Sequence, residues 1–86
     1  MEYVKVYIAV TLYVDEQGKI LPLSIIYCGK EYRIDKVTDI RSSPPEHVGG
    51  LITKRYDCLF MGKTRSVYRE VTGRWFLEVK RDLENE

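Results

Sequence analysis

The feature that most constrains this chain is an unbroken alternation near its start. Val4, Val6, Ile8, Val10, Leu12 and Val14 occupy every even position from 4 to 14. A helix would scatter that pattern round its circumference, whereas a β-strand turns successive side chains to opposite faces. The segment is read as a strand with one apolar face. Its odd face carries Tyr3, Lys5, Tyr7, Ala9, Thr11 and Tyr13, which is too aromatic for a freely solvated surface. Such a strand is roughly twice the usual ~5–6 residues, so it is expected to bend and serve two sheets.

Period two recurs along the chain. Asp15-Glu16-Gln17-Gly18 reads as a hairpin loop, with Gly18 free to take positive φ. The second strand runs from Lys19 to Cys28, and Pro22, which has no N–H for a ladder, belongs on an edge or at a bulge. Gly29-Lys30 reads as a glycine-first turn, setting Cys28 opposite Glu31, Tyr27 opposite Tyr32 and Ile25 opposite Ile34. Leu21, Leu23, Ile25, Tyr27, Tyr32 and Ile34 then share one face. The third strand continues to Arg41, and Ser42 to Gly50, with Pro44-Pro45 and Gly49-Gly50, is a loop. Strands at Leu51–Phe60, Arg65–Val71 and Trp75–Lys80 follow, separated by a Gly62-Lys63 turn and a three-residue Thr72-Gly73-Arg74 turn. The latter puts Val71 opposite Trp75, Arg69 opposite Leu77 and Val67 opposite Val79.

Sequential strands joined by tight turns predict an antiparallel meander. Eighty-six residues make one domain, 1–80, with a charged tail at 81–86. A domain of that size buries only somewhat over ~60% of its unfolded surface, so the sheet must curl. The expected fold is all-β, a small antiparallel SH3-like partly open barrel of five to six strands. An OB-fold usually sets a helix between two strands, and no helical period is visible. The even residues of the first strand, with Leu23, Ile25, Ile34, Val67, Val71, Trp75 and Leu77, are the expected core.

Exclusions come next. Hydrophobic residues are 44% and charged residues 31%, the balance of a folded domain, and the net charge is +1. No apolar run approaches the ~20 residues of a membrane span. Met1-Glu2-Tyr3 lacks the basic start of a signal peptide, so a cytoplasmic protein is expected. Cys28 and Cys58, with His47 the lone histidine, do not make a zinc set and are read as two half-buried free thiols. Gly62-Lys63-Thr64 copies the end of a phosphate-binding loop. That motif needs a glycine where Asp57 stands, and a following helix. His47 sits in the Pro/Gly loop without a nucleophile or orienting group, and Asp35 and Asp39 alternate with Ile34 and Ile40 and so point to water. No catalytic, cofactor-binding or metal residue is assigned, and the chain is read as not being an enzyme.

Gly29-Lys30-Glu31-Tyr32-Arg33-Ile34-Asp35-Lys36-Val37, then Gly49-Gly50, Lys54-Arg55-Tyr56 and closing Trp75-Phe76-Leu77-Glu78 carry a resemblance. The chain resembles a set of small uncharacterised Gram-positive bacterial proteins. They share Gly-Lys-x-Tyr-x-Ile near the middle, Arg-Tyr later and a terminal Trp-Phe. That family has no assigned activity. The resemblance implies a cytoplasmic bacterial protein and supplies no site residues.

Charge is distributed unevenly. Residues 1–50 hold six basic and seven acidic groups, whereas residues 51–80 hold seven basic (Lys54, Arg55, Lys63, Arg65, Arg69, Arg74, Lys80) and three acidic. The Gly62-Lys63 turn would set Arg65 opposite Phe60, Arg69 opposite Tyr56 and Arg55 opposite Glu70. Two functional readings follow. The favoured one is a protein-interaction module, with self-association its simplest form, using Tyr3, Tyr7 and Tyr13. The alternative is a nucleic-acid-binding accessory module, with Lys54, Arg55, Lys63, Arg65, Arg69 and Arg74 attracting phosphate and Tyr56 and Phe60 stacking on bases.

Overall fold

A computed structural model describes residues 2–45 and 53–81. His47 and the tail beyond Arg81 lie outside the described residues. The described chain forms β1 (Glu2–Val14), β2 (Ile20–Tyr27), β3 (Lys30–Arg33), β4 (Lys36–Ser42), β5 (Lys54–Phe60), β6 (Lys63–Arg69) and β7 (Trp75–Arg81). No helix is present among the described residues, so none there is long and apolar enough to cross a membrane. All seven strands are antiparallel to their neighbours, in the order β3-β2-β1-β7-β6-β5-β4.

The all-β reading holds, with seven strands in place of five or six. The extra strand arises because the third expected strand breaks at Ile34-Asp35. There the chain leaves one edge of the sheet and joins the other. The Ile34 N–H donates to the Leu23 carbonyl of β2 at 2.9 Å, and the next N–H, of Asp35, donates to the Leu59 carbonyl of β5 at 2.8 Å. Two consecutive residues can bond to opposite ends of the strand order only if the sheet curls until its edges meet. The long β1 makes this possible by serving two partners in succession. Its residues Glu2 to Ile8 pair with β7 and Ala9 to Val14 pair with β2.

Two hairpin registers differ from expectation for one reason. The turn residues are Cys28-Gly29 and Met61-Gly62, not Gly29-Lys30 and Gly62-Lys63. All four have positive φ: 52° and 77° in the first turn, 47° and 83° in the second. That is the geometry whose twist matches the strands of a hairpin, with glycine second. Ile25 therefore lies opposite Tyr32, Tyr27 opposite Lys30, Tyr56 opposite Val67 and Cys58 opposite Arg65. Arg65 does not face Phe60, Arg69 faces Lys54 and not Tyr56, and Arg55 faces Tyr68 and not Glu70. The last turn keeps its three residues but shifts to Val71-Thr72-Gly73, so Arg69 meets Trp75. Each shift moves one strand by two residues against its partner and so leaves the face of every side chain unchanged.

One face of the sheet encloses Ile25, Tyr56, Cys58, Val67, Trp75 and Leu77, with Ile8, Val10, Tyr27, Tyr32, Ile34 and Phe60 packed against them. Four expected core residues are exposed instead: Leu12, Val14, Leu23 and Val71. Val71 is in the turn. Leu23 is the extra residue of a bulge, because Thr11 pairs with Ser24 and Leu12 with Pro22. The bulge accommodates the proline and turns Leu21 away from the face of Ile25. Nor are the thiols half-buried: Cys28 is exposed and Cys58 is fully buried.

Candidate functional site: the groove between β6 and β7

β6 and β7 part company soon after their hairpin. They pair only at Tyr68↔Phe76 and Arg69↔Trp75. From Lys63 to Val67, β6 keeps β5 on one side, and β7 past Phe76 pairs with β1. Among the described residues, the backbone edge of β6 from Lys63 to Val67 that looks toward β7 thus has no strand partner. An edge of that kind carries a row of N–H and C=O groups spaced to pair with another extended chain.

A groove of about 500 Å³ opens at this gap, lined by Ile25, Tyr27, Tyr32, Phe60, Met61, Lys63, Arg65, Leu77 and Val79. Its floor is the apolar inner face and its rim is basic. Among the described residues no carboxylate lines it, and neither Lys63 nor Arg65 has an ion-pair partner. Burial raises the Tyr27 hydroxyl above its usual range, the Cys28 thiol pushes it the same way, and the charge of Arg65 opposes both. A volume of several hundred Å³ with an apolar floor and a few polar groups suits a bound ligand.

The structure divides the nucleic-acid candidates between two faces. Phe60, Lys63 and Arg65 meet at the groove. Tyr56 is only 2% exposed, its ring tilted against Trp75 at a centroid distance of 5.0 Å, so it is a core residue unable to stack on a base. Burial also raises its hydroxyl pKa, against the opposing charge of nearby Arg69. Lys54 starts β5, exposed, opposite half-buried Arg69. Arg55 lies on the outer face, its Nε donating to Asp57 Oδ1 at 2.9 Å. Arg74 is on the outer face too, its guanidinium 3.5 Å from the centre of the Tyr7 ring.

The tyrosine face of β1 is partly covered by the chain's own later strands. Tyr7 meets Phe76 edge-on at 6.1 Å and its hydroxyl donates to Glu70 Oε2 at 2.7 Å. Lys5 donates to the same oxygen at 3.0 Å. The hydrogen bonds from Tyr7 and Lys5 hold the Glu70 carboxyl below its ordinary range, and the bond to Glu70 raises Lys5. Phe76 in turn stacks on Tyr68 at 5.2 Å. A smaller cavity of about 250 Å³ sits here between Lys5, Glu70 and Phe76, but its two charges already neutralise each other. Tyr3, Tyr7 and Tyr13 all remain more than a third exposed.

Sequence reasoning missed Tyr27 and Tyr32 as groove residues, although their shared face with Ile25 was the available signal. It also missed Asp57, which accepts from Arg41, Arg55 and Ser66 on the outer face. Among the described residues no three His, Cys, Asp or Glu side chains are placed to hold a metal ion. Comparison with protein-family models, curated proteins and solved structures returns no significant match.

Proposed function

We propose that this chain is a small protein-interaction module that takes an extended segment of a partner into the groove between β6 and β7. The single observation that carries the reading is the β6 edge from Lys63 to Val67, unpaired among the described residues, beside an apolar, aromatic floor. Main-chain hydrogen bonds along such an edge give affinity, and alternate side chains entering the groove give specificity. The long β1, which pairs first with β7 and then with β2, supports an SH3-like, partly open barrel as the finer description of the fold. The resemblance to Gram-positive bacterial proteins supports a cytoplasmic setting. Self-association is the form of this reading in which a second copy supplies the segment or covers Tyr3 and Tyr13.

The nucleic-acid alternative keeps one supporting observation, the meeting of Phe60, Tyr27 and Tyr32 with Lys63 and Arg65. An open strand edge has no complement in a nucleic acid, so the peptide reading is preferred. A titration followed by amide resonances tests it. An extended peptide should perturb Lys63 to Val67 together with Tyr27 and Tyr32, and leave the Lys5–Glu70 side unmoved. Perturbation by a single-stranded oligonucleotide and by no peptide would overturn the reading in favour of the alternative.

A further inference from the structure

Resting on that reading, we infer that the groove selects an acidic strand: an extended segment pairing antiparallel with β6 and carrying the order apolar-x-acidic-x-acidic. The register carries the argument. Extending the Tyr68↔Phe76 and Arg69↔Trp75 pairing along both strands sets Val67 level with Leu77 at the closed end of the groove. Arg65 then lies level with Val79, and Lys63 level with Arg81 at the mouth. Leu77 is 7% exposed and Val67 is fully buried, so the closed end is apolar. Arg65 and Lys63 are both exposed.

Strand side chains alternate, so Val67, Arg65 and Lys63 share the inner face two residues apart; Arg65 and Lys63 line the groove, and Val67 is buried beneath its closed end. A segment antiparallel to β6 presents its own groove-facing residues at the same spacing. Its first meets the apolar end over Leu77 and Ile25, its third meets Arg65 and its fifth meets Lys63. Opposite charges directly across a ladder attract, and like charges repel. Among the described residues the lining holds no carboxylate to compete. Read from N- to C-terminus the preferred segment is therefore apolar first and acidic last, because antiparallel pairing with β6 runs from the closed end outward.

Three synthetic peptides with flexible flanks test this by fluorescence anisotropy at low salt: Leu-Thr-Glu-Thr-Glu, its neutral form Leu-Thr-Gln-Thr-Gln, and the reversed order Glu-Thr-Glu-Thr-Leu. The first should bind about tenfold more tightly than the second, the sum of two exposed cross-strand charge pairs. Lys63→Glu with Arg65→Glu should abolish that preference, and both sites are exposed enough for the variant to fold. Equal binding of the first two peptides overturns the acidic preference while leaving the groove reading intact. Equal binding of the reversed peptide overturns the direction of pairing. Failure of all three overturns the groove reading with it, leaving Lys63 and Arg65 as charges that guard an edge against pairing.

Discussion

Asp57 lies where the outer face is most dependent on one side chain. Its carboxylate is 11% exposed and accepts from Arg55 Nε at 2.9 Å, Arg41 Nη2 at 3.1 Å and Ser66 Oγ at 2.8 Å. Asp57→Ala removes the shared acceptor and takes from Arg55, itself 18% exposed, a carboxylate at 2.9 Å. Truncating one partner of a buried pair costs about 3–5 kcal/mol. Arg41 is 52% exposed, and exposed pairs contribute under about 1 kcal/mol, so the expected loss is near ~3 kcal/mol. A domain of this length has a total of roughly 4–13 kcal/mol, so the variant should be visibly weakened. Urea unfolding followed by the emission of Trp75, the single tryptophan, reads it directly. The pH dependence gives a second check. Desolvation raises the Asp57 carboxyl, but hydrogen bonds from Arg55 and Ser66 and the charge of Arg55 outweigh it and leave the pKa below the usual aspartate value. A depressed folded pKa means stability that is present above the unfolded value of about 3.9 and lost as pH falls through the lower, folded value. The gap between the unmodified chain and Asp57→Ala should therefore be full at pH 6 and close below about pH 4. A loss under about 1 kcal/mol at pH 6, or a gap unchanged in acid, would refute the argument.

Other perturbations follow from single contacts. Trp75→Ala should cost about 3–5 kcal/mol by circular-dichroism melting, because the ring is 5% exposed and packs on Tyr56; a loss below about 1 kcal/mol would place it at the surface. Met61→Asn should stabilise by roughly 0.5–1 kcal/mol, since Met61 is 88% exposed at a φ of 47° that asparagine tolerates better; no gain, or a loss, would mean the turn is not the positive-φ pair described. Iodoacetamide should modify Cys28 in the folded chain and leave Cys58 untouched, whose thiol burial pushes up to about 12; equal labelling of both would refute the burial of β5.

The strands were legible because period two is a local property that tertiary context only reinforces. Val4, Val6, Ile8, Val10, Ile25, Val67, Trp75 and Leu77 fall on the inner face as their alternation demands. The failures cluster where backbone conformation outweighs side-chain pattern. Cysteine and methionine at positive φ are rare choices, so a glycine-first turn was the natural reading of Cys28-Gly29-Lys30 and Met61-Gly62-Lys63. The error of two residues cost cross-strand neighbours but not faces, which is why the core survived it. Leu23 failed differently: a bulge at Pro22 adds one residue, and one residue reverses every side chain beyond it.

The groove was harder to foresee than the core because it depends on where pairing stops. Phe60, Lys63 and Arg65 are visible in the sequence as an aromatic and two cations, but so are Tyr56, Arg55 and Arg74, which the fold uses internally. What separates the two sets is the partner each finds. Arg55 has Asp57, and Arg74 has the Tyr7 ring. Lys63 and Arg65 stand on the half of β6 from which β7 has turned away. β7 follows β1 along its whole length, so the course of β1 decides how far β7 can remain beside β6. The same long strand that lets a sheet of seven strands curl onto itself thus leaves one seam open among the described residues, and Lys63, Arg65 and the β6 backbone edge occur together along that seam.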